Sequence, residues 1–316
     1  MLDASIFILS YNRPGYLREA VESVMLQSQT PSSIAIFDNG SASEVQEAVR
    51  DFIELGVRWF GSDVNRGSHW NTLRAIDAVS SKYFMLLHDD DRLDPFFLER
   101  QIRFMEENNT VTAVSCNGHL IDYKGVRLCR TLAPTSRGDR YHFFSSSGEV
   151  ALKYAANSCI PLSPTIYRTS LARSVSIREE FGKVADAVLF CDLTSVGPIA
   201  YLEAPLYECR IHPGQDSMVF PEDLMNKLEF FFETRELPDE ALRGKLISLL
   251  TQQHTARNLK LMFISLRQKK IRRLMELYFD KRFKLSLAFY LIVVHVGRYF
   301  RACAKRIFPD AGAGRS

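Results

Sequence analysis

The chain has 316 residues, 46% hydrophobic and 24% charged, a balance that excludes a disordered tail, a collagen-like fibre and a disulfide-stapled miniature. Its net charge of +3 hides an asymmetry: Thr251–Ser316 carries 15 Lys and Arg against 3 Asp and Glu, whereas Met1–Leu250 carries 25 against 34. An acidic body with a basic tail points to a polyanionic partner for the tail, an anionic membrane surface or nucleic acid.

Ala4–Leu9 is a short apolar run of the kind buried in a parallel sheet, and Tyr16–Met25 puts Leu17, Ala20, Val21, Val24 and Met25 on one helical face. Ser33–Phe37 reads as a second strand ended by the turn sequence Asp38-Asn39-Gly40-Ser41. Glu44–Leu55 is expected to be helical, Val57–Phe60 a strand and His69–Val79 a helix. Tyr83–Leu87 is a buried strand ended by His88-Asp89-Asp90-Asp91, and Pro95 starts a helix over Phe96–Glu107. Val111–Ile121 is expected as strand with a hairpin turn at Asp122–Gly125, and Pro134–Ser147 as loop. Ala185–Val196 is expected as helix, Ile199–Ile211 as strands broken by Pro205, and the chain beyond Pro221 as almost wholly helical. Alternating strands and helices imply a mostly parallel α/β sheet flanked by helices, in which ligands bind beyond the carboxyl ends of the strands. Polar clusters fall there: Ser10-Tyr11-Asn12-Arg13, Asp38-Asn39 and Asp89–Asp91. A domain boundary is placed at residue 217, separating 1–217 from a helical extension, 218–316.

The six cysteines include no CxxC pair, which favours reduced thiols over a zinc ribbon or a disulfide framework. Met1–Ala4 runs straight into the first strand without a basic, apolar and small-residue succession, so no secretory signal is expected and the chain is placed in the cytoplasm.

Three adjacent carboxylates raise one another's pKa, and a hard divalent cation, Mg²⁺ or Mn²⁺, removes that repulsion; a solvated acidic turn capping the next helix suits the same residues. Asp38 suits a ribose or base contact and equally an Asx turn. Asp186 suits a general base or a helix N-cap, His212 a metal ligand or a surface residue beside a Pro-Gly turn, and Arg210 a phosphate contact.

Ser10-Tyr11-Asn12-Arg13-Pro14, Asp38-Asn39-Gly40-Ser41, Asn65-Arg66-Gly67, Leu87-His88-Asp89-Asp90-Asp91 and Arg210-Ile211-His212-Pro213-Gly214-Gln215 occur in this order. Together they resemble bacterial family 2 glycosyltransferases, and the resemblance covers Leu2–Ser217. It implies the GT-A nucleotide-diphospho-sugar transferase fold and an inverting, metal-dependent enzyme that builds surface polysaccharide such as LPS O-antigen or capsule. Tyr11 and Asp38 would then hold base and ribose, with Arg13 and Asn65 at the nucleotide edge and Asp89, Asp90 and Arg210 near the diphosphate. Asp89, Asp91 and His212 would hold Mn²⁺ or Mg²⁺, with His88 standing where many members have Asp, and Asp186 would be the base. The partners implied are a nucleotide-sugar donor, from family frequency a UDP-sugar, and a glycan or lipid-linked acceptor. A non-catalytic nucleotide-sugar-binding scaffold subunit is the alternative. A nucleotidyltransferase would need a Gly-rich phosphate loop after the first strand, and none follows it.

In the tail, Arg267–Arg273 and Lys281–Lys284 precede the apolar run Leu285–Gly297, 13 residues against the roughly 20 that span a bilayer. A basic helix of this kind suits peripheral docking on the inner membrane, where a lipid-linked acceptor resides; a packed bundle or homo-oligomer interface suits the same residues. The tail aromatics sit with aliphatics rather than interleaved with the basic residues, so no nucleic-acid partner is expected.

Overall fold

A computed structural model of the chain describes residues 1–133, 139–156, 158–215 and 221–267. The tail segments Lys281–Lys284 and Leu285–Gly297, with the membrane reading attached to them, lie outside the described residues. Among the described residues no helix is long and apolar enough to cross a membrane.

The chain divides into two compact units, Met1–Pro238 and Asp239–Ser316. The first holds ten described strands in one mixed sheet: β1 (Leu2–Ser10), β2 (Pro31–Asp38), β3 (Arg58–Phe60), β4 (Tyr83–His88), β5 (Arg92–Leu93), β6 (Ala113–Ile121), β7 (Arg127–Thr131), β8 (Tyr141–Phe144), β9 (Ile166–Arg168) and β10 (Ile199–Arg210). The order is β3-β2-β1-β4-β9-β6-β10-β5, with β7 on β6 and β8 on β10. The long pairs are parallel: β1 with β2 and β4, β2 with β3, and β6 with β10. The short strands β5, β7, β8 and β9 run antiparallel to their neighbours. Ala4–Ile8 of β1 and Tyr83–Leu87 of β4 are buried throughout, as expected of strands covered on both faces.

The covering helices are α1 (Pro14–Met25), α2 (Ser43–Glu47), α3 (Arg50–Glu54), α4 (Ser68–Asp77), α5 (Phe97–Glu107), α6 (Ser147–Ala155), α7 (Thr169–Ala172), α8 (Ala185–Leu193) and α9 (Glu222–Glu233), with a 3₁₀ turn at Glu179–Val184. Pro14 opens α1, where its missing N–H is an orphan in any case, and α1 buries Leu17, Ala20, Val21 and Val24 as its spacing predicts, whereas Met25 at its last position is exposed. Leu98, Ile102 and Met105 of α5 join Ile6, Ile8, Ile36, Met85 and Leu87 in one core cluster.

Four expectations are corrected. Glu44–Leu55 is two short helices rather than one, because the backbone at Val49 leaves helical geometry (φ −124, ψ 13) while its side chain stays in the core beside Val45 and Phe52. Pro205 does not break the last strand; β10 runs through it, and the register against β6 shifts on either side of the residue that cannot donate to the ladder. The segment expected as loop to Ser147 contains β8, antiparallel to Ile199–Leu202 of β10. The first unit also extends past residue 217: Phe231 and Phe232 of α9 pack on Phe181 and Tyr154, at 5.4 and 5.9 Å between ring centroids.

In the second unit, α10 (Glu240–Arg267) is a 28-residue helix whose start is capped by Asp239, the side chain accepting the Leu242 N–H at 2.7 Å.

Candidate active site

Because β1, β2 and β4 are parallel and adjacent, the segments that follow them emerge at one edge of the sheet, and the end of β10 joins them there. The Asn39 N–H donates to the Ser10 carbonyl at 3.0 Å and the Asp89 N–H to the Leu9 carbonyl at 3.2 Å, carrying the ladder into these turns. After β1 the chain bends at Asn12, whose left-handed backbone (φ +52) asparagine tolerates better than most residues. Asn12 is fastened to the turn after β2: its N–H donates to Ser41 Oγ at 2.9 Å, and its Oδ1 accepts the Ala42 N–H at 3.1 Å. Tyr11 beside it is exposed.

Asp38 forms the Asx turn that its sequence also suited, accepting the N–H groups of Gly40 and Ser41 at 3.1 and 2.9 Å and the Ser41 hydroxyl. Gly40 is required here. Its φ of +79 is left-handed, and a Cβ at this position would lie 2.4 Å from the Val64 carbonyl carbon. That close approach brings in Asn65, whose Oδ1 accepts from Asn39 Nδ2 and from the Gly67 N–H, both at 2.8 Å. Tyr11, Asp38 and Asn65 therefore border one corner of the sheet.

The acidic triplet at the end of β4 is almost fully buried, at 1%, 6% and 4% exposure for Asp89, Asp90 and Asp91. Asp89 accepts the Tyr11 N–H at 2.9 Å and Arg13 Nη1 at 2.7 Å. Arg13 Nη1 also reaches Asp90 Oδ2 at 3.4 Å, and Nη2 donates to the Gly214 carbonyl at 3.4 Å. His212 Nε2 lies 3.0 Å from Asp90 Oδ2, and Asp91 Oδ1 accepts the Arg210 N–H at 3.1 Å. These environments separate the three carboxyls. Burial pushes Asp89 up to about 7, against the pull of Arg13. Burial and then the Asp90 charge push Asp91 well above the carboxylate range. Burial also acts on Asp90, but His88, His212 and Arg13 outweigh it and hold this carboxyl below its usual value.

Ligand atoms of His88, Asp90 and Asp91 lie within 4.8 Å of one another. Two carboxylates and an imidazole suit a borderline-hard divalent ion. The grouping differs from the expected Asp89, Asp91 and His212. Asp89 has spent its oxygens on Arg13 and the Tyr11 backbone, and His212 faces Asp90 with its ring 5.2 Å from Tyr16. His88 departs from the acidic pattern that the resemblance expects at this position, but an imidazole is itself a common metal ligand.

Arg210 is also corrected as a nucleotide contact. Its side chain has no exposed surface; Nε donates to the Asp90 carbonyl at 2.9 Å, Nη2 to Glu19 Oε2 at 2.5 Å, and the guanidinium lies 4.3 Å above the Tyr16 ring. Arg13, whose side chain is 26% exposed, is the cation that borders the triplet from the open side.

Asp186 lies in the first turn of α8 and is not its N-cap, which is Val184. Its Oδ1 accepts the Ala187 N–H at 2.8 Å, and burial pushes the carboxyl up to about 6.

Residues 5–160 match the family model for glycosyl transferase family 2. The chain belongs to that family. An uncharacterized glycosyltransferase of Rickettsia conorii is 26% identical over 219 residues, 69% of this chain and 34% of the relative. Chondroitin synthase of Escherichia coli is 22% identical over 258 residues, 80% of this chain and 35% of that one. The chain thus spans about a third of the length of these curated relatives. Among solved structures, S. aureus TarS 1-349 in complex with UDP-GlcNAc superposes with a TM-score of 0.59 at 14% identity, covering 79% of this chain and 72% of the TarS 1-349 chain. At that identity the likeness establishes the fold, a GT-A glycosyltransferase architecture. The family match takes in Tyr11, Asp38, Asn65 and the triplet, and ends before Asp186, Arg210 and His212.

Proposed function

We propose that this chain is an inverting glycosyltransferase that moves a sugar from a nucleoside-diphosphate donor, a UDP-sugar, to a hydroxyl of a glycan or lipid-linked acceptor in bacterial surface polysaccharide synthesis. The observation that carries this reading is the triplet itself: three carboxyls are buried at one strand end, Asp91 is raised by burial and by the Asp90 charge, and a divalent cation there would relieve that repulsion. UDP-GlcNAc bound to a protein of this fold, TarS, supports the choice of donor. The polymer-forming activity in the name of the chondroitin synthase supports a glycan acceptor.

His88, Asp90 and Asp91 would hold Mn²⁺ or Mg²⁺, which when bound supplies positive charge to the oxygens of the departing diphosphate. Tyr11, Asp38 and Asn65 would border the nucleoside, and Arg13 would offer its guanidinium to the diphosphate. Asp186 would accept the proton of the acceptor hydroxyl. The acceptor oxygen bonds to the anomeric carbon as the bond to the diphosphate oxygen breaks, the leaving group takes the electron pair, and one displacement inverts the centre. The basic tail is the candidate for peripheral docking on the inner membrane, a reading that rests on its sequence.

The test is a donor panel read by thermal shift with Mn²⁺, followed by NMR of the product's anomeric configuration. UDP with Mn²⁺ should raise the melting temperature of the wild type and not of Asp91→Ala, and the product should be inverted relative to the donor. An unchanged shift in Asp91→Ala overturns the metal assignment, a retained configuration overturns the single displacement, and a protein inert with every donor favours the scaffold.

A further inference from the structure

A fully buried guanidinium must be neutralised, because an unpaired charge at that depth costs several kcal/mol. Among the described residues, the carboxylate in contact with Arg210 is Glu19, half-buried on α1. The same Oε2 also accepts from Arg92 Nη1 at 3.2 Å; Arg92 pairs with Glu208 at 2.6 Å, and Glu208 with Arg127 at 2.6 Å. A chain of alternating charges thus runs from the rear of the triplet to strand β7.

Arg210 has further contacts, and they converge on the triplet. Nε holds the Asp90 carbonyl, the backbone N–H holds Asp91 Oδ1, and the guanidinium supports the Tyr16 ring, against which His212 packs while facing Asp90. Arg13, Tyr16 and Glu19 recur every third residue, so the start of α1 presents the open-side cation, the aromatic spacer and the neutralising carboxylate along one side.

Building on the reading of the triplet as the cation site, we propose that Glu19 is a positioning residue for it: its carboxylate anchors Arg210, which fixes Asp90 and Asp91 in the arrangement that grips a divalent cation. The physical reason lies in what Arg210 does without Glu19. Without its neutralising partner the buried guanidinium, whose Nη1 also reaches the Asp122 carbonyl at 3.4 Å, re-orients, and the hold of Nε on the Asp90 carbonyl that sets Asp90 and Asp91 is loosened.

The experiment uses the full chain with UDP present and titrates Mn²⁺, reading free aquo-Mn²⁺ by electron paramagnetic resonance. Glu19→Gln keeps the shape and a hydrogen-bond acceptor and removes the charge, and it should weaken Mn²⁺ affinity about tenfold, the scale of one charge-assisted contact. Arg127→Gln breaks a comparable ion pair at the far end of the charge chain and should leave the affinity within about twofold of the wild type. Glu19→Asp, which restores the charge on a shorter stem, should recover part of the loss. Glu19→Gln binding Mn²⁺ as the wild type does, with only a lower melting temperature, would overturn the inference and leave the pair a structural one. Failure of the wild type itself to bind Mn²⁺ with UDP would overturn the cation reading first, and this inference with it.

Discussion

Replacing Asp186 with Asn should stabilise the protein while abolishing transfer, a combination expected of a carboxylate held at a cost for chemistry. The carboxyl rises from 3.8 to about 6 because burial disfavours its charge. At 1.36 kcal/mol per pH unit, the ionised form pays about 3 kcal/mol on folding. Asp186 keeps partial contact with solvent, which discounts the figure to about 1–2 kcal/mol. Asn preserves the outline of the side chain and the acceptor for the Ala187 N–H, so no hydrogen bond is lost. At about 2–4 °C per kcal/mol for a unit of this size, the melting temperature should rise by about 2–8 °C. The sign follows from the raised pKa. Above about pH 6 both folded and unfolded wild-type chains carry the ionised group and the full penalty applies; as the pH falls towards 3.8 the folded state takes up its proton first, and the advantage of Asn fades. Melting curves of both proteins at pH 8 and pH 4.5, with transfer measured at pH 8, check this. Transfer should fall by about 10²–10⁴-fold in the variant, and in the wild type it should decline as the pH drops through about 6. Equal melting temperatures at pH 8 would refute a strained carboxylate, and undiminished transfer would place the base elsewhere.

Three further outcomes are expected. Arg13→Met should cost about 2 kcal/mol at pH 8 by leaving Asp89 buried without its cation, and urea melts should show the loss shrinking towards pH 5, where Asp89 carries a proton. Asp91→Asn should raise the melting temperature of the protein alone, since it removes a carboxyl whose ionisation burial and the Asp90 charge disfavour, while eliminating the shift given by UDP with Mn²⁺ in the same assay. Gly118→Ala should lower stability by about 1–3 kcal/mol in denaturant melts, because a Cβ there would stand 2.2 Å from the Tyr207 ring across the β6–β10 pair; Tyr207→Leu in the same background should recover part of it.

The parallel half of the fold was legible because its strands are buried on both faces and its helices on one, so apolar runs and 3.6-residue periodicity carry the information directly. The departures arose where tertiary context overrode a local signal. Val45, Val49 and Phe52 keep a helical spacing across a backbone that is not continuously helical, so periodicity reports the buried face and misses the break between α2 and α3. Pro205 removes a donor from β10, and the cost is absorbed by a shift in register that no local rule announces. The start of α6 does carry a local signal: Ser146 and Glu149 form a capping box whose S-x-x-E pattern stands in the sequence.

At the site, residue type proved legible and partnership did not. Asp38 and Asp89–Asp91 fall at strand ends where the alternating pattern places them. What each carboxyl does depends on which cation reaches it, and the cations come from Arg13 after β1 and Arg210 at the end of β10. In sequence, Arg210 is the arginine expected at the diphosphate and Arg13 the one at the nucleotide edge. The fold distinguishes them by depth: Arg210 is sealed behind the triplet by Glu19 and Tyr16, whereas Arg13 keeps a quarter of its side chain in the open and pairs with Asp89 from the front. The same contrast explains why His88 replaces Asp89 in the candidate metal group. A carboxylate already satisfied by a guanidinium and a backbone N–H has little left to offer a cation. The candidate group is instead the set whose ligand atoms converge, His88, Asp90 and Asp91 within 4.8 Å of one another, so a strand end that reads as an Asp pair with one residue between offers a mixed imidazole and carboxylate set.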